Sequence, residues 1–193
     1  MSKSDPASAK RERNKQIRWT VTIFIVTIFV SATISYASDV LMNVSTMPIA
    51  FLILFLIIIV GIIFDVIGVA VTSADEKPFH SMAARKVPGS QEAIRLLRNA
   101  ERVGSICNDV VGDICGVVSG AASATIAAQI VGNFSFTAPQ VISLAMSALA
   151  AGVTVGGKAM GKSVAIRSCT KIVHGTGKII WIFHHIPEML KKK

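Results

Sequence analysis

The stretch IAFLILFLIIIVGIIF, residues 49–64, contains no charged or hydrogen-bonding side chain. A helix that crosses a bilayer needs about 20 predominantly apolar residues, and the segment from Pro48 to about Ala74 supplies that length around this centre. Because only helices and closed barrels satisfy their backbone hydrogen bonds inside lipid, the stretch predicts a membrane-spanning helix. It decides the fold class of the chain, which we predict to be an all-α integral membrane protein.

Three further stretches bring the number of predicted transmembrane helices to four. They are residues 19–36, residues 104–130 approximately, and residues 138–155 approximately. The composition agrees, since 52% of the 193 residues are hydrophobic and only 16% are charged, whereas soluble domains carry roughly 25% charged residues. The net charge of +9 would also suit a nucleic-acid-binding protein, but that function needs basic residues gathered on a folded soluble surface. We therefore predict a lipid bilayer, and no nucleic acid, as the partner.

The lysines and arginines are segregated along the chain. Six precede the first predicted span, six lie between the second and third, and eight follow the fourth, whereas the loops at residues 37–47 and 131–139 contain none. The positive-inside rule then predicts a multi-pass protein of the cell membrane with both termini and the central loop in the cytoplasm. Glycosylation sequons begin at Asn43 and Asn133 in the two outer loops. Whether they are used depends on the host.

The central cytoplasmic loop contains an amphipathic helix pattern. Ser90 follows a Pro-Gly break and is predicted to be the helix N-cap. The segment AIRLLRNAERV, residues 93–103, then places its apolar residues on one face. The opposite face carries three arginines: Arg95, Arg98 and Arg102. Such a helix suits either the surface of an anionic leaflet or packing beneath its own protein with a solvated charged face, and the pattern favours neither.

Small and acidic residues stand out within the later spans. An aspartate inside a span is costly and by default indicates function, so Asp65 and Asp113 are candidate site residues, although the second span could also simply end at Asp65. Small residues recur at every fourth position of the third and fourth spans, which predicts close helix packing within or between subunits. They are Gly112, Gly116, Gly120, Ala124 and Ala128, and then Ala148, Gly152 and Gly156.

The string GGKAMGKS, residues 156–163, matches the pattern of a phosphate-binding loop. That loop requires a preceding strand and a parallel sheet to hold it. Here the string lies at the cytoplasmic end of a predicted helix, and 30 residues follow it. We therefore predict no nucleotide partner and no enzymatic activity.

Three segments together resemble the transmembrane domain of the cyclin M (CNNM)/CorC family of magnesium transporters. FDVIGVAVTSADEKPF, residues 64–79, is similar to the family pattern F-S-[GA]-x-[EN]-x-[AG]-L-x-[SA]-L. AIRLLRNAERVGS, residues 93–105, resembles A-x-x-L-L-x-N-P-E-R-x-x-S, and GKAMGKS, residues 157–163, falls where the family has G-E-[IL]-[IL]-P-K-S. The order, spacing and orientation of the three segments carry the resemblance.

The resemblance implies a domain organisation and an assembly. Residues 48–187 would form the CNNM/CorC-like core from three of the four spans, preceded by an extra transmembrane helix at residues 19–36. Residues 1–18 would be a basic cytoplasmic tail and residues 188–193 a basic end, without the family's cytoplasmic CBS domains. A homodimer would form through the small-residue helix faces at Gly112, Gly116 and Gly120.

The resemblance also implies an ion site with oxygen ligands, the ligand type that magnesium prefers. In the first segment, the family's serine corresponds to Asp65 and its [EN] residue to Gly68. The family's Gly-Asn pair corresponds to Gly112-Asp113. In the last segment, its glutamate corresponds to Lys158 and its proline to Gly161. The implied metal ligands are Asp65, Asp113 and Ser73. Magnesium would be the transported ion, with no other cofactor.

The exchange of glutamate for Lys158 leaves two functional hypotheses open. In the first, the chain takes part in transport of a divalent cation, magnesium. In the second it is a non-transporting accessory or structural protein, in which the Lys158 ammonium replaces the cation and pairs with Asp65 or Asp113. A lysine at this position can also simply extend to the membrane interface.

Overall fold

The structure is a computed structural model that describes the backbone of residues 6–133 and 139–190. Every regular element in these two segments is a helix. The helices are α1 (Pro6–Val44), α2 (Met47–Ser73), α3 (Lys77–Ala84), α4 (Ser90–Arg98), α5 (Ala100–Ser105), α6 (Asp113–Asn133), α7 (Pro139–Arg167) and α8 (Cys169–Leu190). A π-helical segment, Ile106–Gly112, joins α5 to α6.

Four helices in the described segments are long and apolar enough to cross a membrane. The candidate spans are Arg13–Met42, Met47–Ser73, Ala100–Asn133 and Pro139–Arg167. The third consists of α5, the π-helical segment and α6. Within the described segments the prediction of an all-α chain is confirmed, and four helices are able to span a membrane, as expected for a multi-pass membrane protein. Asp65 lies within α2, which continues for eight residues beyond it, so the alternative that the second span ends at this residue is wrong.

The observed helices extend beyond the predicted spans. The predicted outer loop at residues 37–47 is mostly helical, because α1 continues to Val44 through a segment that contains neither glycine nor proline. At the other end, α7 continues to Arg167, so GGKAMGKS is helical throughout and forms no phosphate-binding loop. The side chain of Asn43 and residues 134–138, which complete the Asn133 sequon, lie outside the described part.

Helix α2 is the centre of the bundle. It packs against α7, α6, the π-helical segment, α5 and α8, in keeping with its apolar composition on all sides. Buried residues of α1, α2 and α6 form one apolar core, and a second lies where α2 meets the short helices and α8. Gln129 Nε2 donates a 3.0 Å hydrogen bond to the carbonyl oxygen of Met42, which ties α6 to the end of α1.

Helix α4 packs against α8 at one end of the bundle, which we call the basic end, and the short helices α3 and α5 pack against α4. Ala93 and Leu97 on the apolar face of α4 are buried in the core shared with Val173 of α8. The apolar face of the amphipathic helix therefore packs beneath its own protein, and contact of its charged face with an anionic leaflet stays a prediction. Arg95 and Arg98 remain exposed.

The start of α4 differs from the prediction. Gly89, not Ser90, is the N-cap, and the buried Ser90 hydroxyl donates to the carbonyl oxygen of Val87 at 2.6 Å. Gly89 has φ +83°, and a Cβ there would lie 2.5 Å from the backbone nitrogen of Lys178 in α8. Because only glycine combines a positive φ with no side chain, this residue allows α4 and α8 to touch.

Helix α8 has two different faces. Val173 and Gly177 are buried against the bundle, whereas Ile179, Ile182 and Phe183 are exposed. The segment KIIWIFHHI, residues 178–186, lies in α8, which is not among the four candidate membrane spans of the described residues. The side chain of His185 and residues 191–193 lie outside the described part.

Candidate functional site

A charged cluster of Lys158, Asp65 and Asp113 joins three helical elements in the bundle. The Lys158 Nζ atom of α7 lies 3.9 Å from Asp65 Oδ1 of α2 and 3.8 Å from Asp113 Oδ1 at the start of α6. It also donates a 3.2 Å hydrogen bond to the carbonyl oxygen of Gly112. The ammonium therefore has three oxygen neighbours, and both of the ion-pair contacts considered for Lys158 are present.

Glycines bring α2 and the π-helical segment close enough to form this cluster. A Cβ added to Gly61 would lie 2.8 Å from Cys115 Cβ, and one added to Gly68 would overlap the side-chain amide of Asn108. Small residues allow helix backbones to approach in this way. Asp65 lies between the two glycines on α2, so its carboxylate is held against the π-helical segment.

Glycines of α7 play the same part on the other side of α2. A Cβ at Gly161 would lie 2.6 Å from Val66 Cγ2, and one at Gly157 would overlap Ile62. These contacts press α7 against the central helix on both sides of Lys158. The lysine is thereby aimed at Asp65 rather than toward the end of the helix.

Gly112 ends the π-helical segment and completes the site. It is buried, and a Cβ there would lie 3.3 Å from Lys158 Nζ and 3.9 Å from Asp65 Oδ1. Short π-helical stretches inside α-helices are often found at functional sites. Here the stretch directs a backbone carbonyl oxygen at the ammonium, as a cation site requires.

Burial differs strongly among the three charged side chains. Relative exposure is 9% for Asp65, 21% for Lys158 and 73% for Asp113. The Oδ2 atom of Asp65 is buried and has no hydrogen-bond partner among the described residues. A buried carboxylate is costly unless a counter-charge compensates it, so Asp65 depends on Lys158 more than Asp113 does.

A cavity of about 260 Å³ opens beside the cluster. Asp65, Lys158 and Lys162 contribute polar atoms to its wall, which Val155 and Ala159 complete. The cavity therefore connects the ammonium and the buried carboxylate with a second lysine one turn further along α7. A small ion in this cavity would therefore lie beside two positive charges as well as beside Asp65.

The structure does not bring every predicted site residue to this cluster. Ser73 is exposed at the end of α2, eight residues and therefore about 12 Å along the helix axis from Asp65. Asp109 is exposed, and Gly161 contacts Val66 instead of a charged group. Ser73 thus does not belong to the candidate site.

Asn108 is a residue that the sequence reasoning missed. Its Oδ1 atom is buried, lacks a hydrogen-bond partner in the described part, and lies against Gly68 one turn from Asp65. An amide inside a span next to an aspartate was the available signal. Asn108 lies in the π-helical segment, whose hydrogen bonds differ from those of an α-helix, so a pattern counted at 3.6 residues per turn does not place it.

The donor set is small for a metal site. Among the side chains that the structure describes, no group of three or more His, Cys, Asp or Glu could hold a metal ion. Magnesium, however, typically retains several water molecules and binds one or two carboxylates, which Asp65 and Asp113 could supply. The ammonium of Lys158 stands between them, so these residues fit magnesium only after Lys158 withdraws.

The small-residue stripe of α6 does not stay on one face. Two residues four positions apart point in directions that differ by about 40° around an α-helix. Small residues with this spacing therefore wind slowly around the helix instead of sharing one face. Gly112 is buried inside the chain, whereas a Cβ at Gly116 or Gly120 would meet nothing within 4 Å. Gly112 therefore cannot form part of the predicted dimer face, while the other two glycines remain available.

Comparison with known proteins does not assign a family. No protein-family model, no curated protein and no solved structure matches the chain. The functional conclusion must therefore rest on the geometry of the charged cluster.

Proposed function

We propose that this chain is an integral membrane protein with an intramembrane cation site of CNNM/CorC type, filled by its own Lys158. The observation that supports this proposal is the position of the ammonium, which has Asp65, Asp113 and the Gly112 carbonyl oxygen as neighbours. Carboxylate and carbonyl oxygens are the ligands of hard cations. A tethered ammonium in their midst makes the chain a non-transporting accessory or structural protein.

Magnesium transport is the second candidate function. It is favoured by the buried, unpartnered Oδ2 atom of Asp65 and by the cavity that reaches this residue. In this case Lys158 would act as a gate that leaves the carboxylates before the ion enters. Alternating access around the cluster would then carry magnesium across the membrane.

A flux measurement separates the two functions. The purified protein is reconstituted in liposomes that contain a magnesium-sensitive dye, with Asp65→Asn as the matched variant. A non-transporting protein gives the same magnesium flux for both proteins as for empty liposomes. Flux by the unmodified protein that Asp65→Asn abolishes would establish transport and overturn the first proposal.

A thermal-stability measurement tests the self-filled site directly. Lys158→Glu replaces the ammonium by a third acidic group, so magnesium should bind the folded variant and raise its Tm by several degrees. The control is Lys158→Gln, which removes the ammonium without adding an acid. We expect little change for this control and for the unmodified protein. A magnesium-induced rise in the unmodified protein that Asp65→Asn removes would show that Lys158 does not fill the site.

We also propose a homodimer that uses the outward glycines Gly116, Gly120, Gly152 and Gly156. A Cβ at any of the four would meet nothing within 4 Å in the single chain, and small residues are typical of helix interfaces in membranes. The molar mass of the detergent-solubilised protein from light scattering should correspond to two chains. Gly152→Leu should reduce it to one chain, and a monomeric unmodified protein would refute the dimer.

The proposed orientation places both termini in the cytoplasm of the cell. It is supported by the two loops without lysine or arginine. Fluorescent-protein fusions, which mature in the cytoplasm and not in a bacterial periplasm, should fluoresce at both ends of the chain. Loss of fluorescence at either terminus would contradict the orientation.

A further inference from the structure

A second cavity, separate from the charged cluster, lies at the basic end between α4, α5 and α8. Its volume is about 260 Å³. Leu96, Val103 and Ile180 form an apolar wall, and polar atoms come from a second set of residues. These are Glu92, Arg95, Asn99 and His184. One side of the cavity is therefore suited to hydrocarbon and the other to a charged group.

A contact between α5 and α1 indicates the level in the membrane at which this cavity lies. The Arg102 guanidinium carbon lies 5.1 Å from the centroid of the Trp19 ring. Trp19 is the first residue of the apolar run of α1, and tryptophan marks the interface between hydrocarbon and headgroups. Val103, the next residue after Arg102, lines the cavity, so the cavity opens at the depth of the lipid headgroups.

The surface next to the cavity continues both properties. Ile179 and Phe183 of α8 are 57% and 69% exposed, and each directly precedes a residue that lines the cavity. The two side chains provide an apolar surface for acyl chains. Arg102 of α5 adds a positive charge beside the cavity. Basic pockets between helices at this depth bind the headgroups of anionic lipids.

We propose that this cavity binds one anionic glycerophospholipid of the adjacent leaflet. Arg95 is the residue that recognises the lipid phosphate, since a guanidinium can donate two parallel hydrogen bonds to phosphate oxygens. The Asn99 amide nitrogen donates to the Arg95 carbonyl oxygen at 2.9 Å and keeps one N–H for the lipid, and His184 also lines the cavity. Glu92 would repel a bare anion but can accept a hydrogen bond from a headgroup hydroxyl, so the site suits phosphatidylglycerol better than phosphatidic acid.

The proposal is independent of the charged cluster and of any ion transport. It requires only that the four helices lie in a membrane, which places the lipid and the cavity at the same depth. The occupied site would link α4 to α8, the two helices that meet at Gly89. Binding is therefore expected to raise the stability of the folded protein.

Thermal unfolding of the full chain in neutral detergent tests the proposal. Phosphatidylglycerol should raise Tm by several degrees over phosphatidylcholine at the same mole fraction, and phosphatidic acid should raise it less. The Arg95→Gln variant should lose this rise. Arg98→Gln, which removes the same charge from the same helix outside the cavity, should keep it. Equal loss in both variants would show general attraction of surface charge and overturn the site.

Two further arms keep the test decisive. Glycerol phosphate without acyl chains should give no rise, and a rise equal to that of phosphatidylglycerol would exclude a lipid as the source of the phosphate. Arg95→Lys retains the charge but loses the planar pair of donors, so it should fold and show a reduced rise. A full rise for Arg95→Lys and for Arg95→Gln would refute recognition by Arg95.

Discussion

The two sides of α7 have similar compositions but opposite surroundings. On one side, Gly157 and Gly161 lie against α2 and Ala165 is buried. The other carries Gly152 and Gly156, where an added Cβ would meet nothing within 4 Å. Residues nine positions apart, such as Gly152 and Gly161, lie about 180° apart on a helix. A small residue in a sequence therefore indicates that an approach is possible, but not which neighbour makes it.

The charged residues of the bundle repeat this contrast. Lys158 extends from the packed side into a cluster with Asp65, whereas Lys162, one turn later, is exposed beside the same cavity. If the packed side holds the helices together, changes there should reduce stability far more than matched changes on the exposed side. The following three comparisons test this difference, beginning with the largest expected effect.

Replacing Lys158 by methionine should destabilise the protein by about 3–5 kcal/mol, because removal of one partner strands a buried charge, here that of Asp65. Lys162→Met removes the same charge from an exposed position and should change the stability by about 0.5 kcal/mol or less. The measurement is equilibrium unfolding of both variants in the same detergent. Equal effects of the two substitutions would mean that the cluster does not stabilise the bundle.

Substitution of leucine for the packed glycine Gly161 should cost about 1–3 kcal/mol or more, because the new side chain must displace Val66 of α2. Gly152→Leu places the same side chain in open space, so it should leave the stability of the single chain nearly unchanged. Thermal unfolding in dilute detergent, where any dimer is dissociated, compares the two. A larger loss for Gly152→Leu would invert the assignment of the two sides.

The smallest difference is expected between the two carboxylates of the cluster. Asp65→Asn removes a buried negative charge beside Lys158, whereas Asp113 is largely exposed, and exposed ion pairs typically contribute about 0–1 kcal/mol. Asp65→Asn should therefore be the more destabilising of the two, because it alone strands part of a buried pair. Unfolding curves of both asparagine variants provide the check, and a greater effect of Asp113→Asn would show that Lys158 depends mainly on the exposed partner.

Several elements could be predicted because their signals are local. The four apolar spans depended on hydrophobicity alone. The contact of Lys158 with Asp65 or Asp113 came instead from the family resemblance and was one of two alternatives for this lysine. The boundaries were less predictable. Lys158 and Lys162 were counted as loop residues, but both lie in α7. A long helix can place a lysine at the membrane surface or next to an acidic residue inside the bundle.

The amino-acid sequence by itself determined the all-helical membrane class, because residues 49–64 can satisfy their backbone hydrogen bonds in lipid only as a helix. It also determined which residues are small enough to permit close packing. Only the tertiary structure decided that Gly157 and Gly161 meet α2, that Gly112 lies inside the chain, and that Ser73 lies far from Asp65. The π-helical segment and the rotation of each helix set these relations, and both depend on packing against neighbours that no local pattern specifies.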